Sequence, residues 1–379
     1  MVHSLVYKRL EQPLKERERQ EPHSSTDTQE LLLPLARSHP RCPSHCPAGS
    51  CEGPSRPAML ILSCPSKLRL LEGMLRQGLP DMLPVYGTVM HVNRGNPAGQ
   101  EVLVDSWPEF KMVLTRPRRE VARDPSDYFT NLYTAFYRDE GACRALLGNS
   151  RAIDWGQAFQ ILGLQDGVHE NIRDIARARG LEMETHPHRL LLHPDPPAMP
   201  QYRPEKGLRL APVSPAHAML LRDTWPFGGN SWSLRYLSLL IRHFPNACLL
   251  APEGTPISWC LTDPLAALTH GYTLPEHRGQ HLVRSVVGTL AAQLHACSFP
   301  VYGWVLPHNE PSLHTLQRLG FHILPGVFYL LVVRPGFAQS QPASALDSAQ
   351  DPAPSSGERQ HAQQHVAQGE GSGGEEDTA

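Results

Sequence analysis

No apolar run in this 379-residue chain approaches the roughly 18 residues that a helix needs to cross a bilayer. Net charge is nearly missing too: 35 Lys and Arg stand against 37 Asp and Glu, leaving −2. That balance gives no long-range field to draw in nucleic acid or an anionic membrane as the main partner. Twenty histidines invite metal chemistry, but no His-x3-His pair sits on a helix beside an acid, so no metal is expected. Of the eight cysteines, those at 143, 248, 260 and 297 are scattered among apolar neighbours, as in Trp259-Cys260-Leu261, and read as core thiols of a reducing compartment. The cluster Cys42, His45, Cys46 and Cys51 has a C-x3-C-x4-C spacing that fits no strong zinc pattern. No cysteine or serine shows the partners of a covalent nucleophile.

What is plentiful is proline, 37 residues in clusters, and the clusters divide the chain. Residues 1–58 are polar and turn-rich and read as a disordered extension. Their acids, Glu11 to Glu30, make a poor match to an import presequence. From Met59 to 200 a first α/β domain is expected. A helix lies over Leu68, Leu71, Met74 and Leu75, three strands lie between Val85 and Pro117, and helices fall near 128–147, 155–162 and 168–179. The segment "LLHPDPPAMPQYRPEKG" suits a linker. A second α/β domain, 201–337, shows helices at 214–224 and 231–243, strands at 247–251, 257–262 and 266–274, and helix 281–297. Strand 300–306, helix 311–319 and strand 327–333 complete it. Residues 338–379, rich in Ser, Ala, Gln, Gly and acid, read as a disordered acidic tail.

The stretch "TLPEHRGQHLVRSVV", 273–287, places Arg278 and Gly279 between a strand and a helix. Such a turn can cradle phosphate on its free N–H groups, or the glycine can simply let the chain turn.

Several stretches in order carry a resemblance: "RGNP" at 94–97, "DSWPEF" at 105–110, "GGN" at 228–230, "HGYTLPEHR" at 270–278 and "LGF" at 319–321. From Met59 to about Pro335 the chain resembles the glycine N-acyltransferase family of the GNAT superfamily, and within it the branch of glycine N-acyltransferase-like protein 3. Met59-Leu60 looks like the usual start of such proteins. The resemblance implies two GNAT-like domains in tandem, with catalysis in the second. The implied reaction is acyl-CoA plus glycine, or another small amine such as glutamine, giving the N-acyl product and CoA in a monomer. Acyl-CoA would be a co-substrate and no cofactor is expected. The family link implies a mitochondrial location, with the cytoplasm as the alternative.

By the same resemblance Leu274, Arg278, Gly279, Gln280, His281 and Leu282 form the pyrophosphate loop, and Asn309 meets the pantetheine arm or caps the following helix. Arg278 fits the first position of the superfamily pattern, but His281 and Val283 stand where glycine or alanine is usual. The glutamate that many members use as general base falls at Ala267, and the tyrosine that protonates the thiolate falls at Leu316. A pseudoenzyme that only binds CoA is therefore the rival reading. His270 is the nearest substitute base, with Thr269 able to order a water. Strand alternation puts His270 on the face opposite Ala267, so a bulge is needed to bring it round.

Overall fold

In the computed structural model, which describes residues 59–336 apart from 201, 203 and 205, the chain runs twice through one pattern. The first pass is β1 (Leu60–Ile61), α1 (Pro65–Arg76), α2 (Leu83–Asn93), β2 (Gln100–Val104), β3 (Met112–Pro117), β4 (Leu132–Tyr137), α3 (Glu140–Leu147), β5 (Phe159–Gly163), α4 (Asp166–Ala178) and β6 (Glu182–Leu192). The second pass begins with β7 (Arg209–Ala211), α5 (Ala218–Asp223), α6 (Ser231–His243), β8 (Asn246–Leu250) and β9 (Pro256–Thr262). It continues with β10 (Leu268–Thr273), α7 (Leu282–Ala296), β11 (Tyr302–Val305), α8 (Glu310–Arg318), β12 (His322–Ile323) and β13 (Phe328–Arg334). The expected extension, its Cys/His cluster and the expected tail lie outside the described residues.

In each pass the early strands pair antiparallel. A parallel pair follows, β4 with β5 and β10 with β11, joined by a crossover that contains a helix. The strands form one continuous order, β1-β2-β3-β4-β5-β13-β6-β11-β10-β9-β8-β7, with β12 also on β6. The last strands are exchanged: β13, from the second pass, lies beside β5, and β6, from the first, lies beside β11. This is a mixed α/β fold of GNAT type, in tandem.

Most elements follow the expected pattern. In α1 the buried positions are Leu68, Leu71 and Leu75, one stripe at helical spacing, with proline at the first turn. Four stretches differ, the first being strand β6, which is not among the expected elements and runs into the start of the expected linker at Leu191–Leu192. The segment expected as a strand from Val85 is helix α2, buried at every residue from Leu83 to His91. Full burial erases the amphipathic period, and Val85, Thr88 and Val89 bias a local reading toward a strand. Burying Val85, Val89 and Met90 contributes about 1.5–3 kcal/mol each, which outweighs the few tenths that β-branching costs a helix. The helices expected near 128–147 and 155–162 are strand β4 followed by the short α3, and strand β5. β4 and β5 are central and nearly wholly buried, so they lack the alternation that marks a half-exposed strand.

Helix α2 is wedged under the β9–β10 turn and fixes its position. A Cβ placed on Gly87 would lie 1.8 Å from the carbonyl oxygen of Leu265, so only glycine permits this approach. Tyr302, fully buried on β11, ties the same turn down by donating its hydroxyl to Leu265 O at 2.5 Å.

Candidate active site

β10 and β11 pair at a single position, Leu268 with Gly303, and beyond it they diverge. The cleft that opens there has a volume of about 780 Å³. Its near wall is β10, from Leu268 to Thr273. One end is lined by Arg278, Val283, Asn309, Ser312 and Leu316, and the other by Phe129, Leu132, Leu162, Leu330 and Val332 with Glu184, His186, His188 and Arg334. An apolar channel with a polar end is suited to a long ligand that reacts at its middle.

The bulge that sequence reasoning required is present. β10 pairs Thr269 with Leu261 and then Tyr272 with Trp259, so His270 and Gly271 together stand opposite Cys260 alone, one residue extra, and His270 takes φ +52°. Thr269 and His270 thus both line the cleft. The His270 ring stands edge-on to Trp225 with centroids 4.6 Å apart, and lies 6.3 Å from Tyr236. Burial pushes it down to about 4, so at neutral pH it is an uncharged imidazole.

The loop at 274–282 is built for an anion. The N-terminal end of α7 has His281 at φ +58°, the left-handed conformation that glycine adopts without strain, and Gly279 precedes it at φ +82°. The histidine at this position therefore keeps the backbone shape expected of glycine. None of the hydrogen bonds among the described residues uses the N–H groups of Gly279, Gln280, His281, Leu282 or Val283. These N–H groups, together with the positive end of a 15-residue helix, are donors that a phosphate could accept from. Arg278 lies beside it with its Nε on Thr273 O at 3.2 Å and its guanidinium over Tyr272. Leu274 and Leu282 are anchors: Leu282 is buried and Leu274 packs between two apolar clusters. Asn309 caps α8, accepting from Ser312 N at 3.3 Å, and also lines the cleft. The site thus brings Thr269, His270, Arg278 and Asn309 onto one cleft. Gly279, Gln280 and His281 form the adjoining turn, and none of these three lines the cleft itself.

The equivalent place in the first pass is built differently. β4 and β5 pair at Leu132–Gln160, Tyr133–Ile161 and Thr134–Leu162, so no cleft opens at their start. The helix that follows β4 has only eight residues, and Asp139 caps it by accepting from Ala142 N, with Glu140 next in line. Two carboxylates at that helix start repel phosphate.

Ala267 is fully buried among Leu83, Leu265 and Tyr302 and does not line the cleft. Leu316 does line it, with no polar atom to offer. A residue that the sequence analysis leaves unread, between the strands expected at 257–262 and 266–274, is more telling. Asp263, 2% exposed, lines the cleft, and its Oδ1 accepts from Leu265 N and Ala267 N, each at 2.9 Å. Burial pushes its carboxyl up to about 7, against the pull of those two N–H groups. The Trp304 indole N–H stands near enough to offset a little of the rise, but it is outside hydrogen-bonding geometry and otherwise unpartnered. Tyr236 and Tyr302 are both held above their ordinary range, first by burial and then by the Asp263 charge. Cys260, on β9 beside β10, is no nucleophile: it points its thiol at Thr269 O and burial pushes it up to about 12. Among the described residues no group of three or more His, Cys, Asp or Glu could hold a metal ion.

A splayed parallel pair, a bulged strand and an open helix N-terminus define an N-acyltransferase fold of the GNAT type. Sequence comparison makes the family specific. Residues 59–245 match the aralkyl acyl-CoA:amino acid N-acyltransferase family, and 247–330 match its C-terminal region. The chain belongs to this family. It is 34% identical over 282 residues to glycine N-phenylacetyltransferase of Bos taurus, covering 70% of this chain and 94% of that one. It is 35% identical over 284 residues to glycine N-acyltransferase of Bos taurus, covering 70% and 96%. An X-ray structure of a Drosophila protein superposes with a TM-score of 0.61 at 15% identity, covering 73% of this chain and 98% of that one, which is a likeness of fold alone.

Proposed function

We propose that this chain transfers an acyl group from acyl-CoA to the amine of glycine, giving N-acylglycine and CoA by direct attack in a ternary complex, as a member of the glycine N-acyltransferase-like protein 3 branch. The observation that carries the reading is the join between the open α7 N-terminus and the cleft at the β10–β11 splay. Pyrophosphate on the N–H groups of 279–283, with Arg278 beside it, directs a pantetheine arm past Asn309 toward the bulge at His270. The thioester then lies between Thr269 and the apolar end, which takes the acyl chain. Glycine enters from the polar wall. There Arg334, ion-paired to Glu184 and lying over the Tyr128 ring, is the cation available for its carboxylate. Amine choice follows from the room left beside that wall, and glutamine is the alternative acceptor.

Ala267 and Leu316 favour a second reading, a CoA-binding chain without turnover. The deciding experiment supplies the purified protein with a panel of acyl-CoAs and amines and follows free thiol. Glycine-dependent thiol release supports the transferase. Tight CoA binding with no thiol release for any amine favours the second reading.

A further inference from the structure

Resting on the transferase reading above, we propose that Asp263 is the general base of this site, doing from across the β9–β10 turn what a glutamate at position 267 does elsewhere in the superfamily. The two positions face each other across that turn. Asp263 N donates to Ala267 O at 3.1 Å, and Ala267 N returns a bond to Asp263 Oδ1 at 2.9 Å. Ala267 immediately precedes Leu268, where β10 and β11 pair before diverging, so the carboxylate sits at the root of the cleft. One oxygen is committed to the turn. Oδ2 makes no hydrogen bond with the described residues and is the atom left for a ligand. The turn itself is held by Tyr302 and by the close approach of Gly87, both at the Leu265 carbonyl, which fixes the backbone that carries the carboxylate. Buried carboxylates are costly without a partner, and an ammonium group is the partner that this one lacks.

Oδ2 takes a proton from the acceptor's ammonium, and the freed lone pair forms the C–N bond at the thioester carbonyl. The tetrahedral adduct then collapses, and the C–S bond breaks with its electron pair on sulfur. Of the ammonium's three protons, one stays in the amide, one ends on the CoA thiol through solvent, and one leaves to bulk by way of Asp263.

The other ionisable groups of the cleft are set apart. Tyr236 on α6 is pushed further up, as is Tyr302 on β11, which lies behind the Asp263 turn and outside the lining, and Cys260 on β9 reaches about 12. His270 on β10 and His188 on β6 are held down at about 4. Tyr128, Tyr272, His186, Arg278 and the Glu184–Arg334 pair complete the ionisable lining.

The test uses the full chain and compares kcat against pH, from neutral upward, for glycine and for hydroxylamine, which is uncharged over that range and brings no ammonium proton to remove before attack. Wild type with glycine should show an inflection near pH 7 that hydroxylamine does not. Asp263→Asn should lower kcat with glycine by about 100-fold or more, the usual share of a general base. It should also leave CoA affinity by calorimetry in place, abolish the inflection, and cost far less with hydroxylamine. An active wild type whose Asp263→Asn variant keeps kcat within threefold overturns the Asp263 assignment alone. So does an equal loss with both amines, which marks a structural carboxylate. A wild type that binds CoA but turns over no amine overturns both readings. If the variant fails to fold, the wild-type comparison of the two amines still decides, since identical profiles refute the base.

Discussion

Replacing Asp263 with asparagine should make the protein more stable at alkaline pH while disabling it. In the folded chain the carboxyl holds its proton up to about pH 7, and in the unfolded chain only up to its ordinary 3.8. Between those values the folded state binds more protons, so stability falls as pH rises. Below about pH 4 both states are protonated and nothing is lost, whereas above about pH 7 the full penalty is present. A rise of about three in pKa corresponds to roughly 4 kcal/mol at 1.36 kcal/mol each. Asparagine keeps the shape, and its amide oxygen can still accept from Leu265 N and Ala267 N. It gives up the charge-assisted part of those bonds, about 1 kcal/mol. The variant should therefore match wild type within about 1 kcal/mol near pH 5 and exceed it by about 2–4 kcal/mol near pH 8.5. Thermal unfolding at fixed ionic strength reads this directly, at roughly 2 °C per kcal/mol for a body of this size. A gap between variant and wild type that is the same at both pH values refutes the reasoning. It would mean that Asp263 is ionised throughout and its burial is no strain on the fold. The expected pairing of higher stability with lost turnover is the usual trade at a site that keeps a charge in an unfavourable place.

Arg278→Glu should weaken CoA binding about tenfold, and less at high salt because the residue is partly exposed. Calorimetry at two ionic strengths measures both effects. Gly87→Val should cost more than about 3 kcal/mol, because its side chain meets the Leu265 carbonyl and the backbone must shift. Urea titration checks this. Among the five described cysteines, timed alkylation should find Cys64 reacting first, since it is exposed and pulled down to about 7, chiefly by its hydrogen bond with Ser66. Cys260 should react only as the protein unfolds. Ala267→Glu should not raise turnover: it adds a second carboxylate beside Asp263 in a dry core and should cost several kcal/mol, which thermal melts and thiol release together will show.

The second half of the chain is legible in the sequence because its cues are local. Helix α6 opens on Asn230 and Ser233, a reciprocal cap written in the sequence, and α8 carries Asn309, Pro311 and Gly320 at the expected places. The α7 loop is readable for the same reason, since a phosphate cradle is a short contiguous stretch. The errors in the first half come from burial. α2 is enclosed all round and β4 and β5 lie mid-sheet, so each presents a run of apolar residues with no period to read. Asp263 escapes a sequence reading for a different reason. As "TDPLA" it is an ordinary Asp-Pro turn, and only the fold shows that Tyr302 and α2 seal that turn against the cleft. The signal is available in one respect: strands are expected on both sides of the turn, which makes 263 and 267 neighbours. His270 needs the third dimension as well, because alternation along β10 places it on the wrong face until the bulge at 270–271 is known.

The two passes through one pattern are not equivalent, and the difference follows from a few side chains. A helix N-terminus binds phosphate only if its N–H groups are left free and no acid stands in front of them. α7 meets both conditions, whereas α3, with Asp139 as its cap and Glu140 next, meets neither. A splay between parallel strands makes a cleft only if the pairing stops early. β10 and β11 stop after Leu268, whereas β4 and β5 continue. The first pass nevertheless reaches the site through the exchanged strands. Glu184, His186 and His188 on β6, with Arg334 on β13, form the polar wall, and α2 supports the turn that carries Asp263. On the proposed function, CoA contacts would therefore come from the second pass, while the acceptor wall and the rigidity of the proposed base would depend on the first. A mutation in α2 far from CoA can then act on proton transfer, because Gly87 bears on the Leu265 carbonyl and, through it, on the Asp263 turn at the root of the cleft.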